Sequence, residues 1–372
     1  MVRKNSIILS IYIFLSSIYY IFNLPIRALI FIITFFISIY FGVKIKNGFF
    51  ILKVPKSLYA IVFVIFCFTF FVQLVNNTLT PFVIYYLTSP IIAYFIYSNK
   101  FNTKILSIPF YIFSFYTTYY FIINKGLFGI LNSVSENYLS IILIMNLVTL
   151  YVVKIRQNEK IPILPSLLGL ILSVLAIGRS GIICTLLILL IVVWFKWKFF
   201  SKFKKIISVL MFLMPIIFLL IYKWDLVYLT FNNIELFEKF TKGGIDSPSR
   251  DILKNAYLSS MNSITFFTGY NYENNIWFIH YGLNPHNSYL RLHYFSGFAF
   301  FLIIPILFIT LFKLIKINVV FSGLLLSVLL RSYTDSVLFL TLFDYILVLF
   351  IMIAFFDSKS HIQKINKLKS CL

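Results

Sequence analysis

Three short groups of residues have types and spacings suited to chemistry. Gly178-Arg179-Ser180-Gly181 sets an arginine between two apolar stretches with almost no loop around it. A guanidinium there must lie at a membrane face or dip into a cavity, because a charge in hydrocarbon is costly; the same residues also fit a plain turn whose arginine snorkels to water. Asn284-Pro285-His286-Asn287-Ser288-Tyr289 closes a long polar segment just before another apolar stretch. An imidazole, with an ordinary pKa of about 6.5, can take a proton from a hydroxyl, and Pro285 and Asn287 favour a turn that aims it. A capping or interfacial histidine is the plainer reading. Arg250 is the third, with Asp251 beside it and Lys254 one turn on, although exposed helix charges usually only solvate a face. Together Arg179, Arg250 and His286 offer two guanidiniums for a phosphate and one imidazole for proton transfer. Glu273 and Asp335 are rival bases. Arg331 and Asp335 are expected to face outward at the end of an apolar stretch, as a substrate contact or a surface ion pair.

The elements that must carry these groups are apolar helices. Of 372 residues 61% are hydrophobic and 12% charged, against about 45–50% and about 25% in an ordinary soluble domain. A crossing takes about 20 mostly apolar residues, and such windows are expected near 6–22, 27–43, 58–75, 81–98, 105–123, 138–153, 161–177, 182–195, 206–222, 294–312, 317–331 and 337–356. The expected fold is therefore all-α and polytopic, a single membrane domain over 1–372 with about twelve crossings. Asp344 falls inside the last of them. A net charge of +21 would suggest nucleic acid in a soluble chain, but the cations sit in clusters between apolar spans and point to topology instead.

Sidedness follows from those clusters. With the amino terminus in the cytoplasm, 22 of the 32 lysines and arginines fall on the inner side, and six of the other ten lie in one long loop, 223–293, whose charge has little say in orientation. Both termini are thus expected in the cytoplasm, with the first span retained as an anchor because no cleavage site follows it. The cysteines, Cys67 and Cys184 in apolar spans and Cys371 in the tail, supply neither a disulfide framework nor metal-ligand spacing.

The long loop reads as partly helical. Asn233 to Lys242 has an apolar and a charged side, and Ser247-Pro248 with Asp251 in the first turn predicts a helix over 248–260. On it Arg250, Lys254 and Tyr257 share a face, with Ile252, Leu253 and Ala256 able to turn inward.

This arrangement resembles the O-antigen polymerase and O-antigen ligase group of membrane glycosyltransferases. The resemblance is carried by the arginine-glycine turn at 178–181, by the Ser-Arg-Asp helix followed by Gly269, and by His286, Asn287, Tyr289 and Leu290 before a span containing Gly297. The chain departs from the ligase-like turn by placing Ser180 between Arg179 and Gly181. What the resemblance implies is a C-type glycosyltransferase architecture in a bacterial plasma (inner) membrane. It implies an enzyme that joins undecaprenyl-pyrophosphate-linked repeat units on the outer face, for O-antigen or capsular polysaccharide. Arg179 and Arg250 would neutralise the departing pyrophosphate, His286 would orient or deprotonate the attacking hydroxyl, and Asn287, Tyr289, Lys254 and Arg331 would contact substrate. No cofactor and no metal is expected; a pyrophosphate leaving group needs charge stabilisation, which arginine supplies. The expected partners are the lipid-linked oligosaccharide and the bilayer, with a chain-length-regulating copolymerase as a further candidate and no nucleic acid. A ligase, a flippase of lipid-linked sugars and a non-catalytic membrane protein are the alternatives. Against the flippase, the charges gather at one surface and the long loop breaks any symmetry between halves.

Overall fold

The computed structural model describes residues 2–47, 56–131, 134–197 and 248–357. Among these residues the protein is helical throughout, with no strand. The helices are α1 (Val2–Ile18), α2 (Leu24–Asn47), α3 (Lys56–Val75), α4 (Tyr85–Ser98, entered through a 3-10 turn at Pro81–Ile84), α5 (Thr103–Leu106), α6 (Ile108–Asn124), α7 (Asn137–Arg156), α8 (Leu164–Leu175) and α9 (Arg179–Trp197). After the undescribed stretch come α10 (Pro248–Ser259), α11 (Ser263–Thr268), α12 (Ile276–His280), α13 (Ser288–Ser296), α14 (Phe300–Ile317), α15 (Val319–Thr334) and α16 (Tyr345–Met352). The expected span at 206–222, the amphipathic stretch 233–242 and Cys371 lie outside the described residues.

Among the described residues, six segments are long and apolar enough to cross a bilayer: Leu24–Lys44, Pro81–Ser98, Thr103–Asn124, Asn137–Arg156, Arg179–Trp197 and Ser288–Ile317. Shorter apolar helices stand beside them at Ala60–Val75, Leu164–Leu175, Val319–Thr334 and Tyr345–Asp357. The chain is a multi-pass membrane protein. Its outer face agrees with a lipid solvent, because Phe36, Phe63, Phe115, Ile122 and Phe312 point away from the bundle, a distribution that would aggregate in water. Polar side chains turn inward instead. Ser16, Ser17, Ser38 and Thr117 are buried and return their hydroxyls to carbonyls four residues back on their own helices, which satisfies them without water.

The mast of the bundle is α7, buried at every position from Tyr138 to Val153. Buried on every side, it is surrounded by protein and not by lipid, with α6, α8, α9 and α15 among the helices packed on it. Asparagine does much of the capping: Asn102, Asn262, Asn275, Asn287 and Asn318 each accept from the first amides of α5, α11, α12, α13 and α15, occupying donors that a helix start leaves free.

The structure departs from the sequence expectation at the last span. In place of a helix from 337, residues 335–344 run as irregular backbone, every one buried, and α16 begins only at Tyr345. Phe339 and Leu340 both take positive φ, 65° and 63°, which is unfavourable for side chains of that size. Asp344 holds the bend: its carboxylate accepts the Phe339 amide at 2.8 Å, the Thr341 amide at 3.0 Å and the Thr341 hydroxyl at 3.0 Å. Asp344, expected inside the last span, thus pairs with the buried Thr341 and anchors a buried loop; non-helical backbone is tolerated at such depth where protein encloses it or it lines a water-filled cavity.

Asp344→Ala leaves the two buried amides without an acceptor, and a loss of roughly 2–4 kcal/mol of stability is expected. Thermal unfolding of the detergent-solubilised protein checks it, with Asp344→Asn, which keeps one acceptor, losing less.

Candidate functional site

At one end of the bundle, the last turn of α15 and the first of α7 meet the start of α13. Arg331 is completely buried there. Its guanidinium donates to the Thr334 hydroxyl at 2.9 Å, to the Asn137 carbonyl at 3.1 Å and toward Asp335 Oδ2 at 3.4 Å. The outward-facing surface pair anticipated for Arg331 and Asp335 is therefore corrected: both side chains are sealed inside. A guanidinium buried to this degree cannot contact substrate directly; it acts through what it holds.

What it holds is Asp335, and beyond it His286. The His286 Nδ1 lies 3.7 Å from Asp335 Oδ1, with the imidazole side chain 32% exposed and the carboxylate 3%. That separation is an ion-pair distance, longer than a hydrogen bond. The carboxylate thus lies behind the ring while the ring itself can be reached. Burial pushes the Asp335 carboxyl up, but His286, Arg331 and the Ser336 amide outweigh it and hold the group below its ordinary value. Asp335 remains charged and cannot be the exposed rival base; it is placed to orient one.

The backbone around His286 is equally fixed. His286 takes a positive φ of 46°, and its amide donates to Asn284 Oδ1 at 2.9 Å, the local turn that the Asn-Pro-His order suggests. The same Asn284 oxygen accepts from the Ser336 hydroxyl at 2.9 Å. Ser288, wholly buried, donates to the Asp335 carbonyl at 2.7 Å and accepts the Val337 and Leu338 amides. His286 and Asp335, far apart in sequence, are therefore pinned by hydrogen bonds between the two segments that carry them.

The other expected site residues divide. Asn287 caps α13 through the Tyr289 and Leu290 amides, and the Tyr289 hydroxyl donates to the Leu329 carbonyl at 3.0 Å; both sustain the scaffold. Arg179, half buried, opens α9. Its turn packs on the head of α7, where a Cβ on Gly178 would meet Asn137 Oδ1 at 2.8 Å and one on Gly181 would collide with Ser140. Asn137 also receives Arg331, so the arginine-glycine turn and the His286 cluster share one neighbour. On α10 Leu253 and Tyr257 face inward, Lys254 is exposed and Arg250 is half buried. The expected common face of Arg250, Lys254 and Tyr257 is thus split: Tyr257 is fully enclosed in a hydrophobic cluster with Tyr272, Phe278 and Leu340. Its hydroxyl is 2.7 Å from His293 Nδ1, and His293 Nε2 is 3.0 Å from the Phe266 carbonyl. Since a carbonyl only accepts, Nε2 carries the proton and Nδ1 accepts from Tyr257. Glu273, the other rival base, accepts from the Tyr294 hydroxyl at 2.8 Å.

Gly269 and Gly297 explain why the loop can dock so closely. Both have positive φ, and a Cβ on either would strike backbone carbonyls of the other's segment, His293 and Tyr294 for Gly269 and Phe267 for Gly297.

Sequence reasoning missed Arg291. It was counted among the charges of the long loop, yet it stands on α13 within a candidate span, donating to the Leu340 carbonyl at 3.4 Å. The signal was present: Asn287 as a cap starts the helix early enough to carry Arg291 with it.

Comparison with known proteins finds no matching family model, no matching curated protein and no matching solved structure.

Removing either buried partner strands the other. Asp335→Ala or Arg331→Ala is expected to cost roughly 3–5 kcal/mol of stability, measured as a fall in melting temperature in detergent. The pH dependence follows in sign: a carboxylate held below its unfolded value, about 3.9, contributes stability that is present above that value and lost as pH falls through the lower folded one. The wild-type protein should lose stability on acidification below about pH 4, and the part due to this carboxylate should be missing in Asp335→Asn.

Proposed function

We propose that this chain is a membrane glycosyltransferase that polymerises lipid-linked oligosaccharide repeat units on the outer face of a bacterial plasma membrane. The observation that carries the reading is a reachable imidazole backed by a buried, charged carboxylate, whose partner Arg331 shares the neighbour Asn137 with the turn that carries Arg179. In this reading His286 takes the proton of an acceptor sugar hydroxyl as that oxygen attacks the anomeric carbon. Asp335 keeps the ring aimed; Arg331 keeps Asp335 charged. Arg179 and Arg250 neutralise the pyrophosphate as the bond to the sugar breaks and its electron pair leaves with the phosphate oxygen. One displacement of this kind inverts the anomeric configuration. Both termini then lie in the cytoplasm, and the loop around α10 to α12 faces outward over the site. The resemblance in motif order to O-antigen polymerases and ligases supports the same chemistry with either acceptor. The acceptor in the polymerase is another lipid-linked repeat unit.

The test is complementation of a strain lacking this chain, with lipid-linked glycans and surface polysaccharide analysed at matched membrane levels. Wild type should restore long chains, and His286→Ala should lower their formation by about 10²–10⁴-fold, the usual contribution of a general base. Arg179→Ala and Arg250→Ala should leave single repeat units. Long chains accumulating on the undecaprenyl lipid without transfer would make the chain a ligase, and variants indistinguishable from wild type would overturn the site.

A further inference from the structure

From Asn255 to Leu290 the chain holds a single carboxylate, Glu273, with no lysine or arginine and only His280 and His286 besides. A segment standing in water is normally richer, since about a quarter of the residues of an ordinary soluble domain are charged. Within this stretch lies α11. Asn262 accepts the Ile264 and Thr265 amides, and the Thr265 hydroxyl accepts the Asn262 amide; this capping box fixes a short helix on which Ile264 and Phe267, three residues apart, share one side. Both are bare, 72% and 52% exposed, and no residue of α11 is fully buried.

What surrounds α11 is the lipid-facing surface of the bundle. On one side the Phe266 ring packs against Phe301, 4.7 Å between centres, and Phe267 against Phe298 at 5.4 Å. Phe301 and Leu302 begin the exposed stripe of α14 that continues through Phe308 and Phe312. On the other side Asn76, just past the end of α3, donates to the Thr268 carbonyl at 2.7 Å, and Asn271 donates to the Asn76 carbonyl at 3.2 Å. Leu74, Val75 and Leu79 are exposed there as well. α11 therefore hangs between the end of one apolar helix and the start of another, and its bare side chains continue their outer surface. The close backbone approach at Gly269 and Gly297 holds it in that place.

We infer that α11 lies in the interfacial layer of the bilayer, with Ile264 and Phe267 seated among lipid at the boundary of head groups and acyl chains. An apolar helix face at that boundary is stabilised by burial in lipid, and here the surface on both sides already faces lipid. Two side chains are far too small a patch to hold a protein partner, whose specific interfaces bury about 1,200–2,000 Å². Part of the loop that hydropathy assigns to water is thus immersed. The consequence reaches the functional end, because the Phe266 carbonyl lies 3.0 Å from His293 Nε2, and His293 stands on α13, whose cap Asn287 follows His286. α11 moors that helix to the lipid surface, whatever reaction the His286 site performs.

The experiment is nitroxide labelling of the full chain in nanodiscs of phosphatidylethanolamine and phosphatidylglycerol, with Cys67 and Cys371 replaced by alanine and the buried Cys184 kept. Single labels at Ile264→Cys and Phe267→Cys are compared with Lys254→Cys, exposed on α10, and Phe312→Cys, exposed on the lipid stripe of α14. Collision with oxygen, which concentrates in hydrocarbon, is measured against collision with a nickel chelate, which stays in water. At both α11 positions the ratio of oxygen to chelate collisions should stand several-fold above that at Lys254→Cys and approach that at Phe312→Cys. Ile264→Cys alone carries the test where a label at Phe267 disturbs the packing on Phe298. A ratio equal to that of Lys254→Cys would put α11 in water and overturn the inference. Poor collision with both reagents would mean that protein covers the patch, and would overturn it as well.

Discussion

A guanidinium with no exposure at all governs the architecture of this protein's functional end. Arg331 can be buried only if its charge is met, and its two terminal nitrogens recruit three parts of the chain, Thr334 from its own helix, Asp335 just after it and the Asn137 carbonyl from the head of α7, while Nε has no hydrogen-bond partner among the described residues. The arrangement ties the most buried helix of the bundle to the point where α15 ends. His286 then gains its partner from a carboxylate whose place is set by another charge. An exposed pair at this distance would be worth little; sealed inside, the same pair sets geometry.

The second constraint is the bend at 335–344. Irregular backbone inside a membrane bundle needs an internal acceptor for each free amide, and two side chains provide most of them: Ser288 at one end, for Val337 and Leu338, and Asp344 at the other, for Phe339 and Thr341. This bend connects the His286 site with Arg291. It also contributes Leu340 to the cluster that docks α10, through Leu253 and Tyr257, onto the bundle. The loop helices, the imidazole and Arg291 thus share one rigid element, and a change at Asp344 should be felt at all three.

Much of the framework was legible in the chain. Apolar windows of bilayer length located most of the helices because hydrophobic length is a local property, and Ser247-Pro248 located α10 because proline's fixed φ suits a first helical turn. His286 and the arginine turn at 178–181 stood out because polar groups are rare next to spans. Arg331 was misread for a physical reason: exposure is not local, and an arginine at a helix end looks the same in sequence whether the neighbouring helix covers it or not. Arg291 was overlooked because a loop boundary drawn by hydropathy passes over a helix whose first turns are polar.

The sequence by itself determined the solvent of this protein, its helical class and the short motifs that mark one end, since each depends on residues within a few positions of one another. Only the tertiary structure decided which charges meet. Asp335 and His286 are brought together by hydrogen bonds between α13 and the segment after α15, and Arg331 reaches α7 across the bundle. The helix of the last span starts late because a buried carboxylate at Asp344 stabilises a bend that propensity alone would have made helix, and that competition is settled by contacts no local rule contains.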